Sequence, residues 1–344
     1  KFIVFILIIL SKTGNVLCNE SIFTVNNIQV NKNTFKNKDE LINLAFKKGF
    51  EKLNSKILLQ EDYIKIKSTS LRNIKNLVSH YQIVKNQNIE FQNYELINLY
   101  FKRDKMYNFY NQNNIKYSDV SGKTLKILPV LLFEDKIFIY DNNYFYENWL
   151  DSSEDKKSEV IEYIFPLENI ETIETIKKNQ NDLEMINTND IFEKDIKKDI
   201  LLVIIDYDIK KTKFFLKGII SSKKIIKNLT YINKSNETNN YEKILKFLKK
   251  EILEIVKEQN IIDIGTPAFL NINLSLKKQN DLFLFQNILN KIDLIENYNV
   301  REFNNEFAYI NIKYYGKINK IREKLTEKGL IIKFINNQWS ARLN

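Results

Sequence analysis

Cysteine and histidine are almost absent from this chain of 344 residues, which contains one of each. Cys18 lies near the N-terminus, so a mature chain that starts near Asn19 has no thiol, which excludes disulfide bonds, thiolate metal sites and a cysteine nucleophile. The single histidine, His80, excludes zinc sites built from histidine pairs or triads. Since His80 follows an amphipathic segment that ends near Ser79, we expect it to favour a helix C-terminus rather than to act as a general base.

Glycine is also scarce, with 7 residues, about 2% of the chain against roughly 7% in average proteins. Nucleotide-binding loops need clustered glycines so that the backbone can approach a phosphate. The tetrapeptide SGKT at 121–124 looks like the end of such a loop, but Tyr117 stands where its first glycine belongs. An apolar strand pattern follows Thr124, where the motif requires a helix. We therefore expect a turn before a strand, and no cofactor.

Arginine supplies only 5 of the 53 basic residues, although the formal net charge is +10. Specific recognition of phosphates and of guanine favours the bidentate arginine side chain. The lysines are mixed with acidic residues along the whole chain. This composition argues against a nucleic-acid partner, and it leaves open an electrostatic attachment of lysines to an anionic membrane surface.

The first ten residues, KFIVFILIIL, combine a charged start with nine apolar residues, which is typical of an export signal. A helix of that length covers about 14 Å, whereas the hydrocarbon core of a bilayer is roughly 30 Å thick. We therefore expect a cleaved signal peptide over residues 1–18 and a location in the periplasm. An uncleaved signal that anchors the protein in the inner membrane is the alternative. Lipid attachment at Cys18 is disfavoured, because Leu17 is bulkier than the residue usual at that position of lipoprotein signals.

Apolar periodicity divides the rest of the chain into three folded parts, at 19–150, 158–265 and 268–344. In the first part, Ile42, Phe46 and Phe50 recur at helical spacing among strand patterns, which predicts a mixed α/β domain. The polar segment 151–157 is expected to link it to a second α/β unit. The last part follows the order βαββαβ, which indicates a ferredoxin-like module with one helical layer on an antiparallel sheet. The predicted fold class is thus α/β and α+β.

Two aspartates, Asp206 and Asp208, stand at the end of an apolar strand pattern and share one face of it, because side chains alternate along a strand. Paired carboxylates can hold a divalent cation, so one hypothesis is a metal-assisted transferase or hydrolase. A strand end followed by a turn explains the same residues without a metal, and we expect no metal site.

Aromatic residues cluster at 144–149, where Tyr144, Tyr146 and Trp149 stand close together. Exposed side chains of this kind contact a partner protein or a ligand. Buried ones seal the seam between two domains, which is the simpler interpretation. The three residues are the candidate interaction surface, and no catalytic residue is predicted, since the chain has no Gly-x-Ser-x-Gly motif.

A family resemblance extends over residues 22 to about 150. It is carried by the segments FTVNNIQV, AFKKGFEKL, NLVSHYQI, SGKTLKILPVL and IYDNNYFYENW. Read together, they resemble a family of exported proteins of Gram-negative bacteria, the domain of unknown function two-thousand-sixty-six. The chain departs from the family pattern at Tyr144 and Phe145, where a proline is usual, and has less alanine in the first helix. The resemblance implies an envelope protein and supplies no catalytic residue.

These features predict a non-enzymatic periplasmic or envelope protein that acts as an interaction or assembly factor, with another envelope protein as its partner. One alternative is the metal-assisted enzyme that uses Asp206 and Asp208. The other is a protein that binds anionic membrane surfaces through its lysines.

Overall fold

The computed structural model describes residues 22–34, 37–84, 93–120, 122–150, 160–180, 182–192, 199–233, 240–335 and 337–344. The predicted signal peptide (1–18) and the predicted linker (151–157) lie outside the described residues. The chain forms two compact units. The first consists of the described residues up to Leu53 together with Ser68–Asn114 and Asp263–Asn344, and the second consists of Asn54–Lys67 and Ile115–Ile262.

The described residues contain ten α-helices and sixteen strands, which confirms the mixed α/β composition predicted from the sequence. The helices are α1 (Lys38–Ile57), α2 (Gln60–Ile66), α3 (Leu71–Leu77), α4 (Arg103–Gln112), α5 (Tyr144–Asn148), α6 (Ile170–Lys178), α7 (Thr188–Ile191), α8 (Asn240–Gln259), α9 (Asp281–Asn290) and α10 (Ile318–Glu327). The first eight strands are β1 (Thr24–Asn31), β2 (Val78–Val84), β3 (Tyr94–Phe101), β4 (Tyr117–Ser118), β5 (Lys123–Phe133), β6 (Lys136–Phe138), β7 (Ile161–Ile164) and β8 (Asp199–Tyr207). The last eight are β9 (Lys211–Ile220), β10 (Lys223–Ile232), β11 (Ile261–Ile262), β12 (Ala268–Ser275), β13 (Ile295–Phe303), β14 (Phe307–Tyr314), β15 (Leu330–Ile335) and β16 (Gln338–Leu343).

The first unit contains a three-stranded antiparallel sheet in the order β1-β3-β2, on which α1 packs. The apolar positions predicted for α1 are buried, with Phe46 8% and Phe50 2% exposed. The helix comes closest to the sheet at Gly49, where a Cβ atom would lie 2.6 Å from Leu99 Cδ2 and 2.7 Å from Ile28 Cδ1. A glycine at this position therefore sets the distance between helix and sheet.

A five-stranded sheet in the order β13-β14-β12-β16-β15 completes the first unit. Buried residues alternate along β12 at Leu270, Ile272 and Leu274, and α9 and α10 bury Phe285 and Ile321. The sequence predicted βαββαβ, and the structure adds a last strand. That strand, β16, lies between β12 and β15, parallel to the former and antiparallel to the latter.

The second unit is built on a sheet in the order β10-β9-β8-β5-β6, with β7 also paired to β5. Its centre is the parallel pair β5–β8, in register from Leu125 opposite Asp199 to Leu132 opposite Asp206. The domain boundaries predicted at 19–150 and 158–265 therefore differ from those of the structure. The physical reason is that β5 is apolar on both faces, as strands of a covered parallel sheet are, and so it forms the middle of this sheet.

Helices cover both faces of the sheet in the second unit. On one face, α5 and α8 pack against residues such as Leu131, Val203 and Leu216. On the other face, α6 and α7 pack against Leu128 and Leu202. The core of this unit is thus a sheet between two helical layers.

Residues 54–67, which the sequence placed in the first domain, belong to the second unit through a buried lysine. Lys257 on α8 is 2% exposed, and its Nζ donates to Ser55 O (2.6 Å) and to Glu254 Oε1 (2.8 Å). The backbone N–H of Gln60, the first residue of α2, donates to Glu254 Oε2 (2.9 Å). Burial lowers the pKa of Lys257, and the Glu254 carboxylate opposes that effect.

Candidate functional site

The structure places Asp206 and Asp208 at the end of β8 and in the turn to β9. Asp206 is exposed, and Lys213 Nζ lies 3.9 Å from its Oδ2. Asp208 Oδ1 accepts a hydrogen bond from the backbone N–H of Lys210 (2.8 Å), and its own N–H donates to Lys211 O (3.2 Å). Asp208 therefore closes a turn, and the ammonium beside Asp206 opposes the approach of a divalent cation.

Among the residues that the structure describes, no three histidine, cysteine, aspartate or glutamate side chains are grouped so that they could hold a metal ion. The metal-assisted enzyme stays a prediction, which calorimetric titration with Mg²⁺ tests.

The aromatic cluster at α5 is mainly part of the core of the second unit. Trp149 and Phe145 are 0% exposed, and the Trp149 ring packs edge-on against Tyr163 with 5.4 Å between ring centres. Tyr144 and Tyr146 are half-buried. The expectation that Trp149 offers a surface to a partner is corrected, because its side chain has no exposed area. The cluster packs inside one unit.

The two tyrosines of the cluster both have a raised pKa. Burial raises the pKa of Tyr146, and the nearby Glu168 carboxylate raises it further. Its hydroxyl donates to Pro166 O (3.0 Å). Burial likewise raises the pKa of Tyr144, with a further contribution from Glu242.

A buried asparagine that the sequence did not single out holds α5 in place. Asn143 is 0% exposed. Its Nδ2 donates to three carbonyl oxygens, those of Pro129 (2.9 Å), Phe138 (3.1 Å) and Ile139 (2.9 Å). Its Oδ1 accepts from the N–H groups of the first turn of α5, at 3.1 and 3.3 Å, and so caps the helix. Its role is structural.

His80 lies in β2 rather than at the end of a helix, because α3 ends at Leu77. The imidazole is exposed and stacks on Tyr100 of β3, with 4.2 Å between ring centres and 8° between ring planes. The predicted interaction with a helix C-terminus is therefore corrected to a cross-strand stack.

The SGKT segment leads directly into a strand, and its last two residues, Lys123 and Thr124, already belong to that strand. Ser121 itself lies outside the described residues, and β5 starts at Lys123. Lys123 Nζ lies 3.7 Å from Asp199 Oδ2 and donates to Ser221 Oγ (3.1 Å). The Thr124 hydroxyl donates to Glu162 Oε2 (3.1 Å). These side chains bind their own unit, and the loop has no helix after it to receive a phosphate.

A surface rich in lysine is the most distinctive exposed feature of the second unit. Side chains alternate between the two sides of the sheet along β9 and β10. On the side that carries α6 and α7, these two strands have exposed lysines together with other polar and apolar residues. We call this surface the lysine face and define it by Lys211, Lys213, Lys217, Lys224, Ile226, Asn228, Thr230 and Ile232.

The register of β9 and β10 brings cations and isoleucines side by side on the lysine face. Lys217 lies opposite Ile226, and Lys211 lies opposite Ile232. Ile226 is 68% exposed and Ile232 is 69% exposed. A third isoleucine in the β8–β9 turn, Ile209, is also 69% exposed.

The charge of this region is high compared with that of the whole chain. Residues 206–232 contain seven lysines and two aspartates, a net charge of +5 out of the formal +10. No carboxylate among the described residues lies within 4.0 Å of the side-chain nitrogen of Lys211 or Lys224. Lys217 Nζ donates to the backbone carbonyl of Glu184 (2.8 Å).

The lysine face exists because the helical layer ends before the edge of the sheet. That layer buries Phe215 of β9, and β10 is the outer strand, paired with β9 in the described part of the chain. The sequence shows the lysines at 210–227 but not that four of them share a surface with two isoleucines, because this depends on the pairing of the strands.

Within the described residues, no helix combines the length and the apolar character needed to cross a bilayer. Comparisons with family models, curated proteins and solved structures found no match to this chain.

Proposed function

We propose that this protein is a non-enzymatic interaction or assembly factor of the cell envelope that docks onto an acidic envelope component through the lysine face. The observation that carries the proposal is the exposure of Ile226 and Ile232, each more than two-thirds exposed, among the four lysines of the lysine face. Charge at this density attracts an anionic partner over about a Debye length.

An envelope location is part of the same proposal. It is supported by the export-like pattern KFIVFILIIL and by the resemblance of residues 22 to about 150 to exported proteins. A periplasmic protein meets anionic lipid and acidic proteins at the membrane surface, which are the partners that a lysine-rich face attracts.

We also propose that residues 268–344 form a ferredoxin-like module extended by one strand. In support, β12, β13 and β14 with α9 have the order of a split βαβ unit, in which β14 lies between the strands that the helix joins. β15 follows α10 and lies beyond β16. Folds of this type serve many functions, so the module contributes architecture and not a reaction to the proposal.

The experiment that tests the docking proposal is photo-crosslinking in living cells. A photoreactive residue is introduced at Asn228, which is exposed on the lysine face, and, as the matched control, at Glu323, which is exposed on α10. We expect adducts from position 228 in the envelope fraction and none from position 323. Equal yields at the two positions, or none at either, would contradict the proposal.

A further inference from the structure

We infer that the lysine face binds the phosphate groups of an anionic lipid surface and holds the protein peripherally on the membrane. This inference rests on the proposed docking function and names its partner. The lysines supply the electrostatic attraction, and the exposed isoleucines supply the apolar contact with the boundary between headgroups and acyl chains.

The positive charges of the lysine face lie on one side of the sheet. Lys211, Lys213 and Lys224 project from one side of the β9–β10 pair, and Lys210 lies in the adjoining turn. In the described part of the chain, Lys213 forms an ion pair with Asp206, but the distance is long at 3.9 Å and both side chains are more than half exposed, so water and salt screen the pair strongly. The face thus presents cations at a sheet edge, where they can approach a planar anionic surface together.

The isoleucines of the lysine face are spread along β10. Ile226 and Ile232 point to the same side as the lysines and are six residues apart along β10, a separation of about 20 Å. Ile209 extends the apolar contact into the turn. Elements that lie in the membrane interface combine basic residues with apolar side chains that enter the boundary between headgroups and acyl chains.

Lysines also protect edge strands from pairing with other chains, and this role accounts for Lys223 and Lys227 on β10. It does not account for Ile226 and Ile232, because exposed isoleucines on an edge strand promote such pairing. A membrane surface offers phosphate groups to the lysines and apolar acyl chains to the isoleucines.

Two other kinds of partner fit the face less well. A single-stranded nucleic acid needs exposed aromatic rings for stacking, whereas the aromatic residue on this side of β9, Phe215, is 9% exposed. Protein interfaces are depleted in lysine, whereas juxtamembrane surfaces that bind acidic lipid are rich in it. The chemistry of the face therefore favours lipid phosphate.

Sedimentation with vesicles tests the inference on the full chain. The vesicles contain phosphatidylglycerol and phosphatidylcholine, or phosphatidylcholine alone, at low and at high salt. We expect binding to the acidic vesicles at low salt, and its loss in high salt or with the neutral vesicles. The variant Lys211→Gln, Lys213→Gln, Lys224→Gln should bind about a hundredfold more weakly, since each lysine near the surface contributes about fivefold.

The matched control carries the same change of charge on the other unit, at three exposed lysines, Lys47→Gln, Lys75→Gln and Lys102→Gln. Both variants keep residues 1–18, so any contribution of that segment is equal. The control should lose less than about threefold. A third variant, Ile226→Thr with Ile232→Thr, keeps the β-branched side chains and should weaken binding severalfold without changing its dependence on salt. Circular dichroism and thermal melts confirm that all variants fold.

The inference is overturned if the wild-type chain does not bind acidic vesicles at low salt, or if the control variant loses as much affinity as the lysine-face variant. Protein adducts from position 228 in cells, without any vesicle binding, would overturn the lipid assignment and leave the docking function standing. The absence of any adduct at that position would contradict the docking function itself.

Discussion

Replacement of Asn143 by aspartate should destabilise the second unit severely, although the two side chains have the same shape. The amide Nδ2 of Asn143 carries two hydrogens that serve three carbonyl oxygens, at 2.9, 3.1 and 2.9 Å. Aspartate puts an oxygen in that place, so the carbonyls lose their donor and face a second oxygen instead. The capping function is retained, because aspartate caps helices as well as asparagine does.

The magnitude follows from the burial of the site. Leaving a buried acceptor without its hydrogen bond costs about 1–3 kcal/mol, and two hydrogens are lost, so we expect a decrease of about 2–6 kcal/mol in the free energy of unfolding at pH 7. Burial raises the pKa of the new carboxyl group, so it takes up a proton and becomes a donor again as the pH falls. The deficit should therefore be smaller at pH 4 than at pH 7.

The assay is urea unfolding followed by the fluorescence of Trp149, in a Trp339→Phe background that leaves Trp149 as the only tryptophan. Asn142→Asp is the matched control. It is the same replacement one residue earlier, at a side chain that is exposed. It should shift the free energy by less than about 0.5 kcal/mol. A loss below about 1 kcal/mol at Asn143, or one equal to that of the control, would refute the role assigned to its amide.

Two further predictions concern other parts of the fold. Gly218→Ala should lower the free energy of unfolding by at least about 2 kcal/mol, because a Cβ atom there would lie 2.0 Å from Ile200 O. Urea unfolding measures this loss. Gly265→Ala is the control and should be close to neutral, since the nearest atom to its Cβ would be Asp263 Oδ1 at 3.3 Å. Burial, with hydrogen bonding to Glu296, raises the pKa of Tyr315 to about 12. Since the unfolded chain releases this proton near pH 10 and the folded protein releases it only near 12, stability should fall across that range by at most about 1.4 kcal/mol per pH unit. Tyr315→Phe should make this fall shallower in unfolding experiments between pH 10 and 12, and an unchanged slope would contradict the assignment.

Local patterns predicted most of the individual elements. Helix α1 follows from Ile42, Phe46 and Phe50 on one face, and β5 follows from the apolar strand pattern after Thr124. These elements are set by interactions between residues near in sequence, which is why apolar patterns are sufficient to find them.

The same local patterns do not predict which strands pair when they are far apart in the sequence. The parallel pair β5–β8 joins residues more than seventy positions apart, and it moves the boundary between the units away from residue 150. The insertion of β16 between β12 and β15 likewise depends on which strand edge remains free, and no local signal encodes that choice.

In the candidate site, too, local features can be read from the sequence and features that depend on strand pairing cannot. The lysines at 210–227 and the aspartates Asp206 and Asp208 are visible in the sequence, and the strand–turn interpretation of the aspartates agrees with the Asp208 turn. The lysine face itself needs the register of β9 and β10 and the point at which the helical layer ends. For Trp149 the sequence left both exposure and burial open, because burial of an aromatic side chain depends on strands elsewhere in the chain that pack over it.

The most direct test of the account is photo-crosslinking from Asn228 in living cells, repeated in the lysine-face variant and compared with Glu323. We expect adducts from position 228 in the envelope fraction that decrease strongly when Lys211, Lys213 and Lys224 are replaced by glutamine, and no adducts from position 323. Adducts from position 228 that persist unchanged after these replacements, or that are no more abundant than those from position 323, would contradict docking through the lysine face.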